Sequence, residues 1–243
     1  MLLLAIKGPG RKDTMNDSVD IQAQEVSKQV QSYDQHGGVT LGPYASHIWR
    51  SDPKHLAFLL ARYLFAAKMM HGRARALEVG CGDATGTPIV LQEVSSVTAV
   101  DMEAAIIADA QDRYADDLRL NFEVRDIVAD PPCQKYDAVY AIDVLEHIPP
   151  ANSSAFFRAM AMSCKESALL IVGTPNATAA RYASPVSAKT HVNLHDATTL
   201  RMQMLVHCES VMMFGQNDTT MHCGYFDMAH YLWAVGSGVG GKG

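Results

Sequence analysis

Between Arg75 and Pro175 the sequence alternates between short apolar runs and segments with helical character, and few folds tolerate that pattern. The runs are RALEV, SVTAV, LNFEV, YDAVYAI and ALLIVGT. Each is short enough for a strand, near-continuously apolar, and followed by turn residues or an alanine-rich stretch. Runs apolar on both faces need cover on both faces, and strands alternating with helices imply right-handed crossovers. The expected fold class is therefore α/β: a doubly wound, Rossmann-like sheet, mostly parallel, with an antiparallel edge strand drawn from SVMMFG and HYLWAVG.

The flanking segments are less regular. Residues 1–45 read as an N-terminal extension or lid with one short helix around Val19–Tyr33, residues 46–235 as the main domain, and residues 236–243 as a flexible tail. Asp52 and Pro53 read as the N-cap and first residue of a helix whose Leu56, Leu59, Leu60, Tyr63, Leu64 and Ala67 repeat at core spacing. MLLLAI has no preceding basic residue and is too short for an export signal. Five cysteines without C-x-x-C spacing disfavour disulfides and zinc knuckles, so a reducing cytoplasm is the expected location. A formal net charge of −6 offers no electrostatic basis for a nucleic-acid partner. No segment has the ~18 apolar residues of a membrane span.

The chemistry concentrates at the ends of the runs. LEVGCGDATGTP, Leu77 to Pro88, places Gly80, Gly82 and Gly86 where a strand hands over to a helix. Glycine costs backbone entropy there, which implies a left-handed turn or close approach to a ligand. The spacing G-x-G-x-x-x-G departs from the dinucleotide fingerprint G-x-G-x-x-G, and the Glu78 carboxylate suits a ligand bearing an ammonium or sulfonium better than a pyrophosphate. Asp101, 21 residues after Gly80, ends the second run, where a carboxylate can accept both ribose hydroxyls. Asp126 ends the third, where it could accept from an exocyclic adenine amine. A nicotinamide oxidoreductase and a non-catalytic cofactor-binding protein are the alternatives from other classes.

LEVGCGDATG, AVDMEAA, VRDI and YDAVYAIDVLEHI, in this order, resemble the class I S-adenosylmethionine-dependent methyltransferases over roughly residues 55–235. That resemblance implies S-adenosyl-L-methionine as cofactor and S-adenosyl-L-homocysteine as product. It assigns Glu78, Gly80, Cys81 and Gly82 to the methionine end, Asp101 with Met102 to the ribose and Asp126 with Ile127 to the adenine. Asp143 falls under the sulfonium. DPPC, Asp130 to Cys133, is similar to a base-methylating motif but lacks its aromatic residue and precedes the fourth run; it reads as a Pro-Pro turn.

DVLEHIPP also resembles the ubiquinone-biosynthesis O-methyltransferases. Asp143, Glu146 and His147 at i, i+3 and i+4 would share one face of a helical turn and could hold a divalent metal. On the acceptor side stand Tyr44, His47 and Trp49, and the aperiodic stretch TPNATAARYASPVSAKTHVNLHD with His191 and His195. The expected reaction is methyl transfer to a hydroxyl of a small molecule or saccharide, with His191 as general base and His147 its competitor. An amine on an amino sugar or metabolite is the alternative acceptor. Oligomeric state is left open, a homodimer included.

Overall fold

The computed structural model describes residues 14–240, with side chains from residue 24 onward. The MLLLAI segment and the last three residues lie outside the described residues. Two units are distinguished, Met1–Thr40 and Leu41–Gly243. Among its described residues the first contains one helix, α1 (Thr14–His36), longer than the short helix expected at Val19–Tyr33. The second begins five residues before the expected boundary at 46, because Gly42-Pro43 opens a helix rather than breaking one. Pro43 occupies the first turn of α2 (Pro43–Ser51), where its missing N–H costs nothing.

Helix α3 (Pro53–Met69) follows at once, and Asp52 is at its N-cap as expected, although its side chain makes no capping hydrogen bond. Then come β1 (Arg75–Val79), α4 (Thr87–Val90), β2 (Ser96–Asp101), α5 (Ala104–Arg113) and β3 (Leu120–Val124). The second half has β4 (Tyr136–Ile142), α6 (Ser153–Met162), β5 (Cys164–Pro175), α7 (Ser187–Thr190) and α8 (Ala197–Leu205). It closes with β6 (Cys208–Asn217), β7 (Thr220–His222) and β8 (Tyr231–Val239).

All eight strands form one sheet in the order β3-β2-β1-β4-β5-β8-β6-β7. The first five are mutually parallel; β8 runs antiparallel to β5, and β6 and β7 continue antiparallel. The expected antiparallel edge is there, with SVMMFG in β6 and HYLWAV running into β8, and β7 extends it. The chain after β6 turns through Asp218 (φ +52°) into β7, then re-enters the sheet between β5 and β6. Gly236–Val239, expected within a flexible tail, are paired in β8.

The double winding follows from strand alternation. In β1, Leu77 and Val79 join the core containing Phe156, Phe157 and Met160 of α6 and Leu200 and Met204 of α8. Ala76 faces the other core, with Tyr63, Ala66 and Ala67 of α3 and Ile107 and Ala110 of α5. Each large apolar side chain sealed this way contributes ~1.5–3 kcal/mol. The Asp-Pro-Pro stretch lies in the loop between β3 and β4, with Cys133 exposed. Among the described residues no helix is long and apolar enough to cross a membrane.

Candidate functional site

A cleft of about 1220 Å³ opens at the carboxyl ends of the parallel strands, where open α/β sheets bind ligands. Its floor is the loop after β1. Gly80 (φ +71°) and Gly82 (φ +52°) both adopt the left-handed region that side chains resist. A Cβ on Gly80 would collide with Val144, and one on Gly82 would come within 3.2 Å of the Tyr44 ring. The two glycines let the chain turn there, with the Gly80 and Cys81 N–H groups donating to Val100 O at the end of β2.

Glu78 is buried behind this loop and does not line the cleft, unlike the other residues expected at the cofactor. Strand alternation points it toward α3 and α4, where Thr87 Oγ1 (2.6 Å) and Tyr140 OH (2.8 Å) donate to its Oε2. Its Oε1 is buried without a hydrogen-bond partner. Burial pushes the carboxyl up to about 7, against the hydrogen bonds from Thr87, Tyr140 and Tyr63. Glu78 ties the end of β1 to the start of α4 and leaves one acceptor unused beneath the loop.

Asp101 closes β2 with its carboxylate on the cleft wall. Gly82 N–H donates to Oδ2 (2.9 Å) and Glu103 N–H to Oδ1 (3.0 Å). A carboxylate has about four acceptor positions, so two remain for a ligand, one per oxygen. Asp126 uses Oδ1 to accept from Val128 N–H (2.8 Å) and Ala129 N–H (3.3 Å), which leaves Oδ2 available to the cleft. Ile127 is buried beside it, and Cys81 and Met102 also line the wall. Spare acceptors on Asp101 and Asp126, with the two-glycine loop between strand and helix, fit a nucleoside.

At the end of β4 the expected helical turn does not include Asp143. Its φ of +59° puts it in the left-handed region, and only Leu145–His147 form a 3₁₀ turn. Arg62 takes its carboxylate (Nη1–Oδ2 2.6 Å), while its N–H donates to Gly173 O (3.1 Å) and Tyr231 OH (3.2 Å). The expected metal set Asp143, Glu146 and His147 is therefore not assembled. Instead, one ligand atom each from Glu146, His147 and His191 lie within 4.8 Å of one another.

His191 reaches this position on the segment after α7. Val192 and Asn193 N–H donate to Glu146 O (2.8 and 3.2 Å), which docks the segment onto the turn. His147 Nδ1 lies 3.2 Å from the Thr190 carbonyl, an acceptor only, so Nδ1 carries a proton in this geometry and Nε2 is the nitrogen left for other partners. The two imidazoles meet edge to face at 5.1 Å. Burial, with His147 alongside, holds the His191 pKa below its ordinary value and keeps it neutral near pH 7. Burial, with the Asp143 carboxylate nearby, pushes the Glu146 carboxyl up to about 8. The two imidazoles and this carboxyl offer nitrogen and oxygen atoms that can accept a proton or hold a divalent cation.

Comparison with known proteins places this geometry. Residues 76–167 match a family described as methyltransferase domain. A ubiquinone biosynthesis O-methyltransferase of Xanthomonas campestris pv. campestris is 28% identical over 150 residues, covering 58% of this chain and 62% of the relative. The chain thus spans 62% of the length of that curated relative. An N-methyltransferase, NodS from Bradyrhizobium japonicum, solved with S-adenosyl-L-homocysteine, superposes with TM-score 0.58 at 14% identity over 86% of this chain and 97% of its own. A bacterial Hen1 methyltransferase domain superposes at 0.59 with 18% identity over 75% and 97%. The fold is that of the class I methyltransferases.

Within this methyltransferase fold the acceptor-side expectations divide. Tyr44 and His47, from α2, line the cleft. Trp49, on the same helix, is 59% exposed and lies off it, because two residues along a helix turn the side chain to another face. His195 is also off the cleft: it is buried at the neck of the long loop, bridged to Asn176, with Nε2 3.1 Å from Asn193 Oδ1. Arg62 was missed. It lines the cleft with its Cζ 4.1 Å over the Tyr231 ring and a buried, unpartnered Nε. The signal was one cation in the otherwise apolar run LAFLLARYLFAA, read only for its core spacing.

Proposed function

We propose that the chain transfers a methyl group from S-adenosyl-L-methionine to a hydroxyl of a small molecule or saccharide. When bound, that cofactor supplies an electrophilic methyl carbon on a sulfonium and leaves as S-adenosyl-L-homocysteine. Asp101 would accept from the ribose hydroxyls and Asp126 from the adenine amine, while the Gly80–Gly82 loop approaches the amino-acid end. Arg62, with donors to spare, would take the carboxylate there. Asp143, already neutralised by Arg62, would flank the methyl group. In-line alignment of acceptor oxygen and methyl carbon can supply about 7–11 kcal/mol of the barrier.

The observation that carries the hydroxyl reading is the convergence of Glu146, His147 and His191 on one edge of the cleft. A hydroxyl must lose its proton as the carbon–oxygen bond forms, and a positioned base adds about 10²–10⁴-fold. His191 would receive that proton. The curated O-methyltransferase relatives support this choice of acceptor. The same three side chains favour a second reading, in which they hold a divalent metal that lowers the hydroxyl's pKa.

The test is transfer of labelled methyl from S-adenosylmethionine to panels of hydroxyl and amine acceptors, with His191→Asn and His147→Asn variants and with added chelator. The base mechanism predicts that His191→Asn loses at least a hundredfold in turnover while cofactor affinity holds and chelator has no effect. Loss of turnover in both His147→Asn and His191→Asn together with loss on adding chelator, reversed by added divalent cation, would assign the metal mechanism instead. Labelling confined to amines would overturn the hydroxyl reading.

A further inference from the structure

Thr174 is fully buried near the end of β5, in register with Leu232 of β8. The rest of that run, ALLIVG, is apolar, and a valine would satisfy the strand and the packing equally well. A buried hydroxyl costs free energy unless it is hydrogen-bonded. Here Oγ1 donates to Glu146 Oε2 at 3.0 Å, and among the described residues no other side chain donates to that carboxylate. The turn carrying Glu146 is three residues long with no side-chain cap; a backbone hydrogen bond at Glu146 also reaches the carboxyl, and Thr174 adds a donor from a neighbouring strand.

Glu146 in turn connects the two histidines. Its carbonyl accepts the Val192 and Asn193 N–H groups of the segment that delivers His191, and a carboxyl oxygen lies within 4.8 Å of a nitrogen of each imidazole. We propose that Thr174 is a positioning residue that holds the Glu146 carboxylate against the His147–His191 pair. This deepens the proposed function and rests on that pair being the acceptor-side chemistry. The Thr174 hydroxyl bonds Glu146 and neither imidazole, so the effect of removing it passes through Glu146.

The experiment compares Thr174→Val, which keeps the shape and removes the donor, with Thr174→Ser, which keeps the donor. Long-range ¹H–¹⁵N spectra at one fixed pH read the two imidazoles, and calorimetry with S-adenosyl-L-homocysteine reads the cofactor half of the cleft. Thr174→Val should move both ring signals and lower methyl transfer at least tenfold, with homocysteine-product affinity within about twofold of the parent. Thr174→Ser should restore signals and transfer. Parental ring signals in Thr174→Val overturn the inference, as does equal damage in the serine variant. Thr174→Ala, which cannot overpack the site, gives the same reading if the valine variant fails to fold. If the parent protein binds no S-adenosyl-L-homocysteine, the methyltransferase reading fails while the ring signals still report on Thr174.

Discussion

Removing the Asp101 carboxylate tests whether the end of β2 holds a ribose. Each of its oxygens already accepts one backbone N–H, from Gly82 or Glu103, and each has room for one further donor. Two ribose hydroxyls would fill those positions. A hydrogen bond to a charged acceptor is worth about 1.5–3 kcal/mol, so losing both costs about 3–6 kcal/mol of binding. At 1.4 kcal/mol per decade, Asp101→Ala should raise the Kd for S-adenosyl-L-homocysteine by about 10²–10⁴-fold. Water entering the vacated space moves the result toward the lower figure. Asp101→Asn keeps one acceptor oxygen and should fall between parent and alanine. Isothermal calorimetry measures the affinity, and urea unfolding checks that the loop's lost tie to Gly82 has not unfolded the domain. An Asp101→Ala protein that folds and binds within threefold of the parent would refute the ribose assignment.

Glu78 gives a pH signature. Its folded carboxyl titrates near 7 against an ordinary 4.5, so between those values the folded protein keeps a proton that the unfolded chain has released. Its contribution to stability is full below about 4.5 and falls by about 3 kcal/mol as pH rises to 7; Glu78→Gln should flatten that part of the urea-unfolding profile, and an unchanged slope would contradict the burial argument. Trp49 lies off the cleft, so Trp49→Ala should leave cofactor and acceptor parameters unchanged and stability within about 0.5 kcal/mol, measured by steady-state kinetics and denaturant titration.

The strands and the cofactor wall were legible because their signals are local. Apolar runs ending in Gly80, Asp101, Asp126 and Asp143 mark four adjacent strand ends, and topology brings such ends together. Asp196 is a local signal of the same kind, the N-cap of α8, and its Oδ1 accepts from Thr199 N–H at 2.7 Å. What escaped depended on contacts far apart in sequence. Helical spacing suggested Asp143, Glu146 and His147 as one face, but Arg62, 81 residues before Asp143, takes the first of them, and His191, 48 residues after Asp143, stands in its place. Likewise Glu78 sits behind the loop because Tyr140 and Thr87 draw it there. His195 and His191 share one loop and one chemistry; the bridge to Asn176 alone separates a buried residue from a cleft residue.

The central claim is that this cleft binds S-adenosyl-L-methionine in one orientation, and a crystal structure of the chain with S-adenosyl-L-homocysteine tests it most directly. The account predicts ribose hydroxyls on Asp101, the adenine amine on Asp126 beside Ile127, and the sulfur facing the edge formed by Asp143, Glu146, His147 and His191. A ligand bound elsewhere, or bound here with its adenine away from Asp126 and its ribose off Asp101, would contradict it.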